Sequence, residues 1–243
     1  MGELSGKVAL VTGGSRGIGR AIAISLAEAG AAVAVNYRER TDEAATVVET
    51  IRKAGGRAMA AGADVSQSRA VAGMVTAVAR ELGPVDVLVN NAGVGLVRGV
   101  DDLTEADFDL TIAVNLKSAF LCTQAVLPHM RARKWGRIVN ISSGAARGAG
   151  GVGPHYNASK AGMEGMTRGY AARLVKEGIT VNTVAPSLIE TDMVRAGLAS
   201  AASRIPLGRF GTSEECAQVV MMLVGNAYMT GQTVALSGGM SFL

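Results

Sequence analysis

The sequence is poor in the residues that brace small secreted proteins or bind metals. Its 243 residues include two cysteines, two histidines, one tryptophan and five prolines. So few cysteines argue against a secreted disulfide scaffold and fit a reducing compartment. The histidines have no cysteine or acidic partners at metal-ligand spacing, so no metal site is predicted. With 49% hydrophobic residues, 18% charged residues and a net charge of +4, the composition excludes a disordered chain.

Two further classes of partner are disfavoured by what the sequence lacks. Its basic residues are scattered, and the only dense cluster comprises Arg131, Arg133, Lys134 and Arg137. A nucleic-acid partner is not expected, because such binding needs a basic stripe or face. The longest apolar stretch, residues 21–35, is too short and too interrupted to span a bilayer, and the first residues show no secretory signal pattern. We therefore expect a cytoplasmic protein without a membrane partner.

What is present is a regular alternation of short β-branched runs with longer segments of helical periodicity. Predicted strands cover residues 7–12, 32–36, 57–61, 85–89, 137–141, 179–184 and 233–236. Predicted helices cover residues 17–30, 41–54, 67–82, about 109–131, about 155–176 and 213–224. Apolar strands joined by helices predict an α/β fold, with a Rossmann-like, doubly wound parallel sheet of about seven strands and helices on both faces. Residues 1–243 are predicted to form a single domain, with an insertion at about 187–211.

The turn between the first strand and the first helix is rich in glycine. It reads Thr12-Gly13-Gly14-Ser15-Arg16-Gly17-Ile18-Gly19. Glycines let the backbone turn tightly and approach a pyrophosphate, while the helix N-terminus offers N–H donors and the positive end of its dipole. A glycine-rich turn in this strand-to-helix position predicts a dinucleotide-binding site.

These residues resemble the short-chain dehydrogenases/reductases. The spacing Thr12-Gly-x-x-x-Gly17-x-Gly19 is typical of that family, and further motifs follow in register over nearly the whole chain. They are Asp64, Asn90-Asn91-Ala92-Gly93, Asn115, Ser143, Tyr156-x-x-x-Lys160 and Pro186. The resemblance implies an NAD(P)-dependent oxidoreductase. Residues 178–186 and 189–193 look most like bacterial 3-oxoacyl-(acyl carrier protein) reductases, although Ser187 replaces the usual glycine.

The resemblance also assigns cofactor contacts by position. The residues that it places at the cofactor are Gly13, Ser15, Arg16, Gly17, Ile18, Gly19, Asn36, Tyr37, Arg38, Asp64, Val65, Asn91, Ala92, Gly93, Tyr156, Lys160, Pro186, Ile189 and Thr191. Asp64 would meet the adenine amino group. Residues 90–93 would back the adenine ribose and support the central sheet, and Ile189 and Thr191 would border the nicotinamide.

The choice between NAD(H) and NADP(H) is an electrostatic question. A carboxylate at the end of the second strand would accept the ribose hydroxyls and repel a 2′-phosphate. The sequence has Asn36 there, followed by Tyr37 and Arg38, and Arg16 lies in the glycine turn. Two guanidinium groups near this point suit a 2′-phosphate, although Glu39 follows closely. The sequence therefore predicts NADP(H) in preference to NAD(H).

Tyr156 and Lys160 lie four residues apart on a predicted helix and project from one face. A phenol with a pKa of about 10 exchanges protons poorly at neutral pH, and an adjacent ammonium lowers that pKa by stabilising the phenolate. Ser143 would hydrogen-bond the substrate oxygen, whereas Ser142 is interpreted as a buried hydroxyl. By resemblance, Lys160 would also hold the nicotinamide ribose, and Asn115 would hold a water that connects Lys160 to solvent. The predicted catalytic residues are Asn115, Ser143, Tyr156 and Lys160.

The substrate is expected to enter over the nicotinamide, beside the glycine-rich loop 144–153, which we expect to be a mobile mouth. Candidate wall residues are Val94, Leu96, His155, Met193, Leu198 and Phe210, with His155 interpreted as a residue of the pocket rim. A 3-oxoacyl thioester, or another ketone, sugar or polyol, remains open as the substrate. A non-catalytic dinucleotide sensor is disfavoured by the intact catalytic set. The basic cluster at 131–137 is either a docking site for an acyl carrier protein or coenzyme A, or a solvated helix end.

Two predictions concern burial and assembly. Cys122 and Cys216 lie among apolar neighbours in predicted helices and are interpreted as buried thiols. The resemblance implies a homotetramer. Gly165 and Gly169 would permit close helix approach in such an assembly, and the apolar tail, residues 234–243, would bury against a neighbour.

Overall fold

The structure is a computed structural model that describes residues 2–190 and 199–242. The strands are β1 (Val8–Val11), β2 (Ala32–Tyr37), β3 (Ala58–Gly62), β4 (Val87–Asn90), β5 (Gly136–Ile141), β6 (Ile179–Pro186) and β7 (Thr233–Leu236). The helices are α1 (Gly17–Glu28), α2 (Thr41–Lys53), α3 (Ser68–Glu81), α4 (Glu105–Ile112), α5 (Ser118–Arg133), α6 (Pro154–Leu174) and α7 (Ser213–Gly225). The described strands form one seven-stranded sheet in the order β3-β2-β1-β4-β5-β6-β7, and every pairing is parallel. This confirms the predicted doubly wound α/β fold.

The alternation of side chains along the strands explains the two layers of helices. Successive residues of a strand point to opposite faces of the sheet. In β1, Ala9 and Val11 belong to a core cluster shared with α1, α2 and α7. Val8 and Leu10 belong to the other cluster, shared with α3, α5 and α6. Both faces are therefore covered, which is why these strands are nearly continuous runs of apolar residues.

The helix predicted at about 109–131 begins earlier and is not regular. It begins at Glu105, where Thr104 and Asp107 form a reciprocal capping box, and a π-helical turn at Ala113–Lys117 joins α4 to α5. Among the described residues, the combined run Glu105–Arg133 has the length and apolar composition of a membrane span, but half of its most apolar window is buried inside the fold. It is packed as a core helix.

The topology creates a crevice at the carboxyl ends of the strands. The chain passes from β1 to β2 and β3 on one side and then returns to β4 on the other, so the connections leave β1 and β4 in opposite directions. Ligands of doubly wound sheets bind at such a switch point. The glycine turn after β1 and the ends of β4, β5 and β6 all meet at this edge.

The basic cluster at 131–137 lies at the opposite edge of the sheet, where β5 begins. Arg131 pairs with Glu177 at 2.7 Å, and Arg133 pairs with the buried Asp86 at 2.8 Å. Arg137 is 6% exposed, and its Nε donates to the Val224 carbonyl. Arg131 and Arg133 lie in the last turn of α5 and fit the helix-end alternative, whereas Arg137 is buried in β5 and fits neither interpretation. Docking of a carrier at the exposed cations stays a prediction.

Candidate active site

The crevice contains a cavity of about 450 Å³ that collects nearly all the predicted site residues. Of the predicted cofactor contacts, Thr191 lies outside the described residues, and every other one lines this cavity. Ser143, Tyr156 and Lys160 line its inner part, and Asn115 lies beneath them. The cavity is also lined by eight residues that were not predicted to bind the cofactor or to act in catalysis. They are Glu39, Arg40, Ala63, Val94, Val114, Ile141, Ser142 and Ser187.

Three positions of the glycine turn do not tolerate a side chain. Gly13 and Gly17 have φ values of +61° and +49°, in the left-handed region that favours glycine. A Cβ on Gly19 would lie 2.2 Å from the Gly13 carbonyl oxygen. Arg16, which precedes α1, does not cap the helix with its side chain. The first residues of α1, Gly17, Ile18 and Gly19, line the cavity, so the start of this helix suits an anionic group.

The end of β4 braces this turn from behind. Asn91 Nδ2 donates to the carbonyl oxygens of Thr12 and Gly13, each at 3.0 Å. Thr12 Oγ1 accepts from the backbone N–H groups of Asn91 and Ala92 at 2.9 and 3.0 Å. Two segments 79 residues apart are thus joined by four hydrogen bonds. The turn is therefore held in its shape by the protein itself.

Asn36 lines the cavity and also braces the glycine turn. Its side chain is buried, Oδ1 accepts from Gly13 N at 3.2 Å, and Nδ2 donates to Ala61 O at 2.9 Å and Ala63 O at 3.1 Å. These bonds join the glycine turn to the end of β3. The predicted contact of Asn36 with the cofactor stays a prediction.

Two arginines and one glutamate line the cavity beyond the end of β2: Arg38, Arg40 and Glu39. Arg38 and Arg40 both face it, and each pairs with a neighbouring glutamate, Arg38 with Glu39 and Arg40 with Glu43. Arg40 was not among the arginines predicted to bind the cofactor, which are Arg16 and Arg38. Its position between the end of β2 and the start of α2 is the signal that could have identified it as a residue of the site.

Asp64, across the cavity from these arginines, remains ionised. Burial raises the pKa of Asp64, but hydrogen bonds from the Ser66 hydroxyl and N–H and the charge of Arg38 outweigh that effect, so the pKa lies below its usual value. Its Oδ1 accepts both Ser66 bonds, at 2.7 and 2.9 Å.

The four predicted catalytic residues come from three elements and converge at the inner end of the cavity. Ser143 follows β5, Tyr156 and Lys160 lie on α6, and Asn115 lies in the π-helical turn. Lys160 Nζ lies 5.7 Å from the centre of the Tyr156 ring and donates to the Ile141 carbonyl at 2.8 Å. Ser142 is buried, as predicted, and donates to the Lys160 carbonyl at 3.1 Å.

Burial controls the ionisation of Tyr156 and Lys160. It raises the pKa of Tyr156, an effect that a hydrogen bond with the Ser143 side chain partly offsets. It also lowers the pKa of Lys160 to about 8, because an apolar environment disfavours the ammonium. The expected lowering of the Tyr156 pKa is therefore not found in the protein alone. The ammonium is turned toward the Ile141 carbonyl, and desolvation of the phenolate outweighs the hydrogen bond with Ser143.

Asn115 shows why the helix contains a π-helical turn. The residue is fully buried. Its Oδ1 accepts from Val94 N at 2.8 Å, and its Nδ2 donates to Val94 O at 3.0 Å and to Ser159 Oγ at 3.1 Å. π-helical turns interrupt α-helices where a function requires it. Here the turn directs an amide between the segment after β4 and the helix that carries Tyr156.

Several predicted pocket walls are placed differently. His155 is fully buried, and its Nε2 lies 3.0 Å from the Leu96 carbonyl, so it fixes the segment after β4 and is not at the pocket rim. Val94 lines the cavity, whereas Leu96 and Phe210 are not among its described lining residues. Met193 and Leu198 lie outside the described residues.

Other candidate features of the described residues do not form a site. A shallow cavity of about 620 Å³ lies outside β3, but its Lys53 and Glu49 pair with each other at 2.7 Å, and Arg52 donates to the Ala58 carbonyl. No group of three or more His, Cys, Asp or Glu is placed to hold a metal within residues 2–190 and 199–242. Cys122 and Cys216 are buried, as predicted, and burial raises the pKa of each to about 12.

The residues of the crevice fit a dinucleotide. A turn whose glycines leave no room for side chains, a helix start without a side-chain cap, and a cavity that runs from Arg38 to Tyr156 are what a pyrophosphate flanked by two nucleosides requires. The fold and the site therefore define a dinucleotide-binding protein of the doubly wound α/β class.

Comparison with known proteins gives the family. The family profile described as short chain dehydrogenase matches residues 7–200. The chain belongs to the short-chain dehydrogenase/reductase family and is an oxidoreductase that uses a nicotinamide dinucleotide.

Two relatives are named for different substrates, and a solved structure matches with a bound cofactor. The chain is 43% identical over 244 residues to a hydroxy(phenyl)methylsuccinyl-CoA dehydrogenase subunit of Thauera aromatica, with 98% of each chain covered. It is 43% identical over 242 residues to a 3-oxoacyl-(acyl-carrier-protein) reductase of Staphylococcus epidermidis, covering 96% of this chain and 98% of the relative. Among solved structures, a blue fluorescent protein from a metagenomic library, in complex with NADPH, matches with a TM-score of 0.92 and 40% identity over 98% of this chain and 99% of that one.

Proposed function

We propose that this protein is an NADPH-dependent reductase that interconverts a ketone and an alcohol, with a 3-oxoacyl thioester as its substrate. The observation that carries the proposal is the convergence of Ser143, Tyr156 and Lys160 on the inner end of a cavity whose other end fits a dinucleotide. Asn115 supports them from the π-helical turn.

We assign the roles from the positions of the side chains in the cavity and, for Lys160 and Asn115, from the resemblance to the family. When bound, the reduced nicotinamide supplies a hydride to the carbonyl carbon. Tyr156 donates its phenolic proton to the carbonyl oxygen, which becomes the hydroxyl of the alcohol. Ser143, already hydrogen-bonded to Tyr156, stabilises the charge that develops on that oxygen. Lys160 holds the nicotinamide ribose and stabilises the phenolate that Tyr156 leaves, and Asn115 keeps the path from Lys160 to solvent in place.

The arginines support the preference for NADPH. Arg38 and Arg40 line the adenosine end of the cavity, and Asn36, at the end of β2, carries no charge. Guanidinium groups bind a 2′-phosphate in bidentate fashion. Glu39 opposes this preference, but its carboxylate is paired with Arg38.

The thioester substrate is supported by two relatives whose names specify an acyl carrier protein or coenzyme A. Arg137 is buried and bonded within the fold, so it offers no contact to a carrier, whereas Arg131 is exposed and pairs with Glu177 at the surface. The insertion at about 187–211 and the single-domain organisation stay predictions, since residues 191–198 lie outside the described structure.

We also propose a cytoplasmic homotetramer. The open side of α6 supports it, since a Cβ on Gly165 or Gly169 would meet only an arginine of the same helix, at 3.9 or 3.8 Å. Phe120 and Phe242 are 45% and 94% exposed, and we propose that neighbouring subunits cover them. A monomeric mass by light scattering at micromolar concentration would contradict the assembly.

The experiment that tests the function is NADPH oxidation with an acetoacetyl thioester beside a panel of simple ketones, sugars and cyclic ketones. Turnover confined to the thioester is expected. Turnover of another ketone with no thioester activity would keep the oxidoreductase and reject the proposed substrate.

A further inference from the structure

The segment that follows Ser143 has almost no side chains with which to hold itself in place. Of the ten residues 144–153, five are glycine, three are alanine and one is valine, so Arg147 is its single polar side chain. Such a segment is conformationally free on its own. It nevertheless begins next to a hydroxyl that a reaction needs within about 0.5 Å of its productive position. Contacts from outside the segment must therefore fix it.

Arg147 reaches out of the segment to a buried carboxylate on α6. Its Nε lies 3.0 Å from Glu164 Oε2, and the Glu164 side chain is only 5% exposed. A buried carboxylate without a partner is strongly disfavoured. If the segment moved away, Glu164 would lose the cation that the described residues place against it. The ion pair therefore opposes any outward movement of the segment.

Glu164 also lies one helical turn beyond Lys160 and contacts the residue that precedes Ser143. Ser142 Oγ lies 3.5 Å from Glu164 Oε1 and donates to the Lys160 carbonyl at 3.1 Å. One carboxylate thus connects the loop arginine with the end of β5 on which Ser143 is mounted.

Hydrogen bonds inside the segment link the ion pair to the Ser143 hydroxyl. Arg147 N donates to Gly144 O at 3.2 Å, and Ala145 N donates to Ser143 Oγ at 3.2 Å. Farther along, Asn157 Nδ2 donates to the carbonyl oxygens of residues 148 and 149 at 2.9 and 2.7 Å. The expected mobile mouth is therefore tied to α6 at two points, and the first tie is adjacent to the reacting groups.

We propose that Arg147 and Glu164 are positioning residues: their ion pair holds the segment that begins after Ser143 against α6 and so keeps the Ser143 hydroxyl beside Tyr156. Neither side chain lines the cavity among the described residues, so neither is expected to touch the substrate or cofactor. The kinetic part of this inference rests on the proposed function.

The test compares Arg147→Met, Glu164→Gln and the double variant with wild type. Misplacement of Ser143 is expected to lower kcat for the ketone about 10- to 100-fold, while the Kd for NADPH stays within about 2-fold because the glycine turn is untouched. The double variant is expected to be no worse than either single one, since both break the same pair. Arg147→Lys keeps the charge and is expected to recover most of kcat. Glu177→Gln, which breaks the Arg131 pair at the far edge, is the matched control and should behave as wild type.

Hydrogen exchange of the same proteins gives a readout that needs no substrate. Residues 144–153 are expected to exchange faster in Arg147→Met and Glu164→Gln, with β5 unchanged. If wild type turns over a ketone and both variants keep kcat within 2-fold, the positioning role is overturned. If wild type reduces no ketone, the proposed function fails, and hydrogen exchange alone tests the positioning role. Faster exchange of residues 144–153 in the two variants then supports the role of the Arg147–Glu164 ion pair, and unchanged exchange overturns it. Should Glu164→Gln not fold, Arg147→Met beside Arg147→Lys carries the same comparison.

Discussion

The two ends of the cavity are built in different ways. At the cofactor end, Asn36 and Asn91 bond to the backbone of the glycine turn, so the shape exists before any ligand arrives. At the substrate end, a segment of glycine and alanine depends on the long side chains of Arg147 and Asn157 for its position. We therefore expect the cofactor end to lose affinity for its ligand when an atom is added to the glycine turn. We expect the substrate end to lose activity when a contact of Arg147 or Asn157 is removed.

Adding one methyl group is the most direct way to break the cofactor end. A Cβ in Gly19→Ala would lie 2.2 Å from Gly13 O and 2.5 Å from Asn91 Nδ2. We expect NADPH affinity to fall about 100-fold, which corresponds to about 3 kcal/mol of overpacking. The change is measured by fluorescence titration with NADPH.

Gly73→Ala is its matched control, since Gly73 also lies in a helix and its added Cβ would meet nothing within 4 Å. That variant should keep NADPH affinity and raise the free energy of unfolding by about 0.5–1 kcal/mol. Unchanged NADPH affinity in Gly19→Ala would show that the turn can relax to admit a methyl group. That result would contradict the prediction that an added atom disrupts the cofactor end.

Lys160 lies at the inner end of the cavity, and its burial destabilises the folded protein. Its pKa is lowered from 10.5 to about 8, so between those pH values the unfolded chain binds more protons than the folded protein. The cost of burying the ammonium is therefore full below pH 8 and disappears as pH rises toward 10.5. At pH 7 it amounts to about 3 kcal/mol at most.

Lys160→Met removes this cost together with the catalytic group. We expect the cofactor-free variant to gain about 1–3 kcal/mol in the free energy of unfolding at pH 7, to gain much less at pH 10, and to lose turnover. Urea unfolding at the two pH values measures the gain. An equal gain in the free energy of unfolding at both pH values, or a loss at pH 7, would mean that burial of Lys160 does not destabilise the folded protein.

Arg38→Ala has a smaller expected effect, confined to one part of the cofactor. Losing a partly exposed guanidinium should weaken NADPH binding about 10-fold and leave NADH binding nearly unchanged. Parallel titrations with the two dinucleotides measure the ratio. Arg80→Ala, which removes an exposed arginine of α3, should change neither affinity. Tighter binding of NADH than NADPH by wild type would overturn the assigned preference.

The order of elements and the site positions could be predicted because each depends on a local pattern. β-branched runs, helical periodicity and the glycine turn between β1 and α1 are visible in the sequence, and the spacing of Tyr156 and Lys160 places both on one helix face. Adjacent strand ends in a parallel sheet then bring distant motifs together.

What the sequence could not show is which partner a side chain chooses. Asn36 is visible in the sequence as the uncharged residue near the end of β2, but the bonds of its amide to Gly13 and β3 exist only after the chain folds. Burial of His155 and the raised pKa of Tyr156 likewise depend on what packs around them. The π-helical turn at Asn115 replaces one hydrogen-bonding pattern by another within a continuous helical segment, which periodicity does not reveal.

The central claim is that Tyr156 transfers the proton at one end of a cavity whose other end binds the dinucleotide independently. The most direct measurement is NADPH binding and thioester turnover in Tyr156→Phe beside Tyr170→Phe, a variant of the same helix whose phenol accepts a hydrogen bond from Gln124. We predict a loss of kcat of at least about 100-fold in Tyr156→Phe, with NADPH affinity retained and Tyr170→Phe unaffected. Turnover retained in Tyr156→Phe would contradict the account.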